Sequence, residues 1–302
     1  MNSALLRRGR TALALFSTTL LLLACGGSGD SPASGSGGGG GEVPAQAAQG
    51  MVSSAHPLAT EAGLEILAKG GNAFDAAVAV AAALNVVEPM MSGMGGYGTI
   101  LVYSAEEGRA RFLNSSGRIP RGVDPDVFRP PTPGYRENRR GPKAISTPGN
   151  VQAWAAMSEN YGVLPWPELL EPAARLAEEG FNIDARAAGS IESAWEDFPD
   201  HVSAFYGTEG RPLQEGERLV QADLARSLRL VATEGPQVLH GGALGEAIDA
   251  AMRESGSFLR LSDLAGMEAE WWEPIQIDYR GHQVMVPPPP ANSFPALVRL
   301  GM

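Results

Sequence analysis

The residues able to do chemistry are few, and their spacing closes little on its own. Ser92-Gly-Met-Gly-Gly-Tyr-Gly98 contains a G-x-G-x-x-G pattern at Gly93, Gly95 and Gly98. A dinucleotide fingerprint needs a strand before such glycines and a helix after them. Here the apolar run Ala73 to Val87 precedes them, and the β-branched and aromatic stretch Thr99 to Tyr103 follows. That reversed order points to a helix-to-strand turn in which glycine permits close backbone approach. The same turn is able to present N–H groups to a developing oxyanion. Ser92 is not a nucleophile elbow, because G-x-S-x-G requires glycine where Met90 stands. His56, His201, His240 and His282 form no pair at helical or hairpin spacing, and Cys25 is the single cysteine. Neither a zinc centre nor a disulfide framework is expected. His56, before Pro57, is expected as a hydrogen-bonded junction residue. Trp271-Trp272 is expected in core packing, and Arg136, Arg139 and Arg140 in a solvated patch. Nucleophile, base and orienting acid do not converge.

The elements that must position these residues are legible from their punctuation. Pro57 to Lys69 reads as a helix stopped by Gly70-Gly71. Asn72, with Asp75 three residues on, predicts an N-cap and a capping-box pair for Ala73 to Val87, a buried helix. Thr99 to Tyr103 and Arg109 to Leu113 form a hairpin across Glu106-Glu107-Gly108. Residues 120–144 form an irregular excursion. A helix opens at Gly149 or Asn150 and runs to about Tyr161. Trp166 to Leu170 and Pro172 to Glu179 are two helical pieces, with Pro172 at a helix start. Residues 222–235 and 244–255 are amphipathic helices, Ser262-Asp263-Leu264 caps a short one, and Ile275 to Val286 is a hairpin. Pro287 to Pro290 break the pattern before a last helical turn or two.

The chain has 302 residues, is 44% apolar and carries 23 basic against 34 acidic residues, net −11. It can bury a core, and its acidity is a poor match for phosphate backbones, so nucleic-acid binding is not expected. Arg7, Arg8 and Arg10 precede the apolar run Thr11 to Ala24, which ends Leu22-Leu23-Ala24-Cys25. Residues 1–24 read as an export signal. Leu-Leu-Ala-Cys resembles a bacterial lipobox, with Cys25 the acylated residue after cleavage and a membrane as partner; an ordinary signal with an incidental cysteine is the other reading. Gly26 favours the outer membrane, by resemblance to lipoprotein sorting. Residues 25–50, with Gly37 to Gly41 unbroken, are a disordered tether. Removal of residues 1–24 leaves 20 basic and 34 acidic residues, net −14. The folded domain is expected over 51–302.

Several phrases resemble one family, in order and from about Gly50 to the last residue. They are His56-Pro-Leu-Ala-Thr-Glu-Ala-Gly-Leu-Glu-Ile-Leu, Gly70-Gly-Asn-Ala-Phe-Asp-Ala-Ala-Val-Ala, Val87-Glu-Pro and Ser92-Gly-Met-Gly-Gly-Tyr-Gly. Pro148-Gly-Asn-Val, Pro172-Ala-Ala-Arg-Leu-Ala-Glu-Glu-Gly-Phe181, Gln221-Ala-Asp-Leu-Ala225 and Tyr279-Arg-Gly281 continue the match. The chain is identified as resembling the large-subunit portion of gamma-glutamyltransferases (glutathione hydrolases). The resemblance implies an α+β fold, an incomplete N-terminal-nucleophile (Ntn) hydrolase αββα sandwich. It implies a self-cleaving precursor whose small chain begins with a threonine nucleophile, the α-amine of that threonine serving as base. It further implies a γ-glutamyl amide substrate, such as glutathione, and no metal or organic cofactor.

Two departures from the family pattern bear on function. The chain stops at Met302, before the expected threonine, so no catalytic residue is assigned within it. The nucleophile is expected downstream, in a small-subunit partner, and the chain alone is expected to be inactive. The family's Arg-Glu pair before Ala-Pro, whose arginine forks the substrate carboxylate, falls on Ser116 and Gly117 within Asn114-Ser-Ser-Gly-Arg-Ile-Pro120. Arg118 is the nearby cation; it either supplies the carboxylate contact from a shifted position or salts a strand end. Ser116 and Arg118 are therefore the substrate-binding candidates. An acylase-like preference and a non-catalytic lipoprotein module stay open as alternatives.

Overall fold

The computed structural model describes residues 50–129, 139–289 and 291–302. Cys25, the leader, most of the tether and Arg136 lie outside the described residues. Helix α1 (Pro57–Ala68) starts where His56 Nδ1 accepts the Leu58 N–H at 3.2 Å, the junction role expected of it. Gly70, at φ 92°, ends it in a conformation that disfavours other residues. The next cap closes as a full box. Asn72 Oδ1 accepts from Phe74 and Asp75 N–H at 2.8 and 3.0 Å, and Asp75 Oδ2 accepts from Asn72 N–H at 2.9 Å. This opens α2 (Ala73–Val87), whose alanines let α1 and α4 (Trp166–Glu179) approach closely. Asp75 is fully buried and also accepts the Val163 N–H at 3.1 Å, fastening α2 to the loop after α3 (Asn150–Tyr161).

The strands β1 (Thr99–Ser104) and β2 (Arg109–Asn114) pair antiparallel, as the sequence predicts. Helix α4 runs without interruption from Trp166 to Glu179, so the expected break before Pro172 is not there. Pro172 sits inside the helix and is buried. It forfeits one N–H bond, while Leu169, Leu170, Ala173, Ala174 and Ala177 bury a continuous stripe around it. Trp166 Nε1 donates to Val231 O at 3.0 Å and ties α4 to its neighbour α7 (Ala222–Glu234).

A run of short elements follows: β3 (Phe181–Asn182), α5 (Ala185–Ala194), α6 (Asp200–Tyr206), β4 (Gly207–Thr208), β5 (Arg211–Pro212) and β6 (Arg218–Leu219). Helix α7 (Ala222–Glu234) begins after Gln221, whose buried Nε2 donates to Val86 O at 2.7 Å. The remainder is α8 (Gln237–His240), α9 (Ala243–Glu254), α10 (Leu261–Ala265), β7 (Glu270–Trp272), β8 (Ile275–Tyr279), β9 (His282–Val286) and α11 (Phe294–Gly301). Helix α10 is not capped by Ser262. Of the expected trio it is Asp263 that closes its start, Oδ2 accepting the Arg260 N–H at 3.1 Å while the Asp263 N–H donates to Arg260 O at 2.9 Å.

The largest sheet among the described residues has the order β1-β2-β7, antiparallel, with Phe112 opposite Trp272 and Asn114 opposite Glu270. The pairs β3-β6, β4-β5 and β8-β9 complete the strands. One face of the main sheet, through Val102 and Leu113, joins the core of α1, α2, α3, α4 and α7. Trp154, in α3, is among the largest side chains of this core to be fully buried. The tryptophan pair is packed as expected: Trp271 meets Tyr161 edge-on at 5.4 Å, and Trp272 lies 6.1 Å from Phe112.

Candidate functional site

The exit of β2 and the glycine turn before β1 form one stitched unit. Ser115, 1% exposed, donates from Oγ to Gly98 O at 3.0 Å and accepts the Gly98 N–H at 3.2 Å. The turn closes on itself through Gly96 N–H to Gly93 O at 2.9 Å. From the other side, Gly149 and Asn150 N–H donate to Gly96 O at 2.8 and 3.0 Å, and Asn150 Nδ2 donates to Gly93 O at 2.9 Å. The N–H groups of Gly96 and Gly98 are thus consumed internally. The glycines serve as a backbone junction, and these two N–H groups do not point to an oxyanion.

The two substrate-binding candidates lie together on the segment leaving β2. Ser116 is half-buried, its N–H held by Asn114 Oδ1 at 3.1 Å. A Cβ on Gly117 would sit 2.6 Å from Ser146 Oγ, 2.8 Å from Thr147 O and 2.9 Å from Tyr97 Cδ1. The backbone at 117 therefore has no room for the glutamate that the family pattern puts there. The Arg118 carbonyl accepts the Thr147 N–H at 2.9 Å, which fixes the segment against the loop leading into α3.

The Arg118 guanidinium is half-exposed and donates to Glu270 Oε1 in β7. The other carboxylate oxygen, Oε2, accepts Trp272 Nε1–H at 3.0 Å, so Glu270 is aimed from two sides. Exposed pairs of this kind contribute about 0–1 kcal/mol, which leaves Arg118 free to exchange partners at small cost. Beside it opens an apolar cleft of about 390 Å³, lined by Ile119, Pro120, Val123, Phe128, Lys143 and Ser146 among others. Of the cationic patch, Arg140 is ion-paired with Asp197 and Arg139 is exposed.

Sequence reasoning missed Glu270, Ser115 and the side-chain role of Asn150. Asn150 was legible only as a helix opener. Glu270 lies 152 residues from Arg118, and nothing local announces the pairing. Cys25, the lipid-attachment candidate, lies outside the described residues.

A family model described as gamma-glutamyltranspeptidase matches residues 59–302. An acylase ACY 1 proenzyme of Pseudomonas sp. (strain V22) is 38% identical over 260 residues, covering 83% of this chain and 46% of the relative. A glutathione hydrolase proenzyme of Bacillus subtilis (strain 168) is 35% identical over 247 residues, covering 80% of this chain and 42% of the relative. The crystal structure of Helicobacter pylori gamma-glutamyltranspeptidase superposes with a TM-score of 0.79 at 32% identity, over 83% of this chain and 73% of that one. The chain spans about half the length of the curated relatives it matches.

Proposed function

Because the chain belongs to the gamma-glutamyltranspeptidase family, we propose that it supplies the substrate-gripping part of an amide-cleaving Ntn hydrolase. Its fold is the α+β architecture of that family. In this reading a threonine hydroxyl at the head of a small chain, encoded beyond Met302, attacks the γ-carbonyl of a γ-glutamyl amide. The α-amine of that threonine takes the hydroxyl proton and passes it to the departing amine. Water or an acceptor amine then releases the acyl group. Arg118 exchanges Glu270 for the substrate carboxylate, and Ser116 offers its hydroxyl beside it. The scheme uses no metal or organic cofactor.

The observation that carries this reading is an open sheet bearing the gripping segment. Among the described residues β1 has no partner on its outer edge, and it turns Leu101 and Tyr103, 45% and 64% exposed, to solvent. A partner polypeptide that pairs with this edge and packs a second layer on that face would cover them. Anchoring is part of the same proposal. Cys25 is acylated after export and holds the body on a bacterial membrane, the outer one favoured, at about 0.8 kcal/mol per buried methylene. Incorporation of labelled palmitate that is lost in Cys25→Ser supports the anchor, and equal incorporation in both removes it.

One observation favours an acylase-like variant of the reading. Gly117 excludes the family glutamate, and the cleft next to Arg118 is mainly apolar with Lys143 on its wall, which suits an amide whose arm is less polar than that of glutathione and still carries a carboxylate. Incubation of the full-length gene product with γ-glutamyl-p-nitroanilide and with glutaryl-p-nitroanilide tests both. Self-cleavage with release of p-nitroaniline supports the enzyme, and the preferred anilide identifies the variant. An intact precursor that releases none overturns it in favour of a non-catalytic binding module.

A further inference from the structure

A second concavity lies away from the Arg118 segment, between the end of α2, β3, α5 and α6, and its volume is about 310 Å³. That is within the range of small-molecule pockets, about 300–1,000 Å³. The sequence makes room for it. Helix α5 turns Ala187, Ser190 and Ala194 toward the space, three small side chains at helical spacing where larger ones would fill it. Phe198 and Tyr206 wall the opposite side, their rings 5.9 Å apart, and Trp195 backs Phe198 at 6.3 Å.

Among the described residues the lining contains no charged side chain. The nearest opposite charges, Glu88 and Arg186, bond to each other at 3.0 Å and pin the end of α2 to the start of α5. Ser190 Oγ is spent on Arg186 O at 2.8 Å, which leaves the Tyr206 phenol as the polar group of the wall. Tyr206 is half-buried, and its hydroxyl, protonated at neutral pH in any case, supplies a hydrogen-bond donor; burial raises its pKa further. Met90 forms part of the floor two residues before Ser92, and both Met91 and Ser92 N–H bond to Glu88 O at 2.9 and 3.0 Å. The cavity floor is therefore continuous with the turn that feeds the glycine junction.

We propose that this cavity is a binding site for an uncharged, mainly aromatic molecule carrying one hydrogen-bond acceptor for Tyr206. The assignment does not depend on the acyl-transfer reading.

Benzophenone, neutral and aromatic with one carbonyl, is the probe. Titrated into the full-length gene product, it binds with one-to-one stoichiometry, and irradiation attaches it within residues 87–90 or 181–206. Ala187→Phe, which fills the cavity from α5, weakens binding about tenfold or more. Val163→Ser, at an exposed position in the loop after α3, leaves it unchanged. Absent or non-saturating binding overturns the proposal, and so does a label on β1 or an affinity that Ala187→Phe does not alter. Absence of binding is also what a segment of the protein's own chain filling the cavity would give. If Ala187→Phe fails to fold, the position of the label on the unmutated protein decides.

Discussion

Arg118 and Glu270, on segments 152 residues apart, form an ion pair where the chain leaves β2 beside β7, with Trp272 Nε1–H holding the second carboxylate oxygen. If Arg118 grips the substrate, Glu270 is the group its carboxylate must displace. Arg118→Ala in the processed enzyme then raises KM for a γ-glutamyl anilide about tenfold to a hundredfold, the loss of a charged hydrogen bond of ~1.5–3 kcal/mol. Glu270→Gln acts in the opposite direction. It removes a competitor worth about 0–1 kcal/mol and lowers KM by up to about fivefold. Steady-state kinetics on both variants check this, and an unchanged KM in Arg118→Ala removes Arg118 from the site.

The glycine junction predicts two different outcomes for the same substitution. At Gly149 a Cβ would fall on the Ser115 carbonyl oxygen and 2.7 Å from Met267 Cε, and backbone cannot give way as a side-chain tip does. Gly149→Ala is expected to destabilise by about 1–3 kcal/mol or more. At Gly95 a Cβ meets nothing within 4 Å, and Gly95→Ala is expected within about 0.5 kcal/mol of the parent. Urea unfolding of both variants reads the difference. Equal loss at the two positions would show that the turn is not packed as described.

Local signals made much of this fold legible, and distance hid the rest. The Asn72–Asp75 cap and the limits of α2 follow from neighbours in sequence, since a capping box needs only residues three apart. Helix α5 offered less, because only Ala187 and Ile191 of its ten residues are buried, too sparse a stripe to stand out. Pro172 misled because a propensity rule met a packed stripe and the stripe prevailed. In the site, the Ser116-Gly117-Arg118 segment was visible as a departure from a pattern. That Gly117 is enforced by Ser146 and Thr147, and that Arg118 meets Glu270, are tertiary facts with no local trace.

Acid should weaken the fold in two separate windows. His240 is fully buried, its Nδ1–H donating to Leu264 O at 3.1 Å, and burial lowers its pKa from 6.5. Below pH 6.5 the unfolded chain takes up the proton before the folded one does, so stability falls as pH drops from there toward the folded pKa and levels off beneath it. Glu217, held to about 2 by Arg211, contributes stability above its ordinary value of 4.5, which is lost as pH falls from 4.5 toward 2. Thermal melts between these limits should show both slopes. His240→Asn, which keeps a donor near the Leu264 carbonyl, should flatten the upper one alone. A melt with no slope below pH 6.5 would place a charged or solvated imidazole at 240.

The outer edge of β1 gives the sharpest test of whether a second polypeptide completes this domain. Side chains alternate along the strand, so Ile100, Val102 and Ser104 turn to the core side while Thr99, Leu101 and Tyr103 stay exposed. Replacement of Leu101 and Tyr103 by lysine should cost the chain's own fold little, since neither side chain is buried within it. Where a partner layer packs on that face, the same two lysines place charge in a desolvated seam, where an unpaired charge is costly. The double variant should therefore keep its far-ultraviolet circular dichroism while its chains separate on size exclusion or fail to self-cleave. Cleavage and co-elution like those of the parent would mean that this face of β1 is free in the mature protein, and that a partner, if present, docks elsewhere.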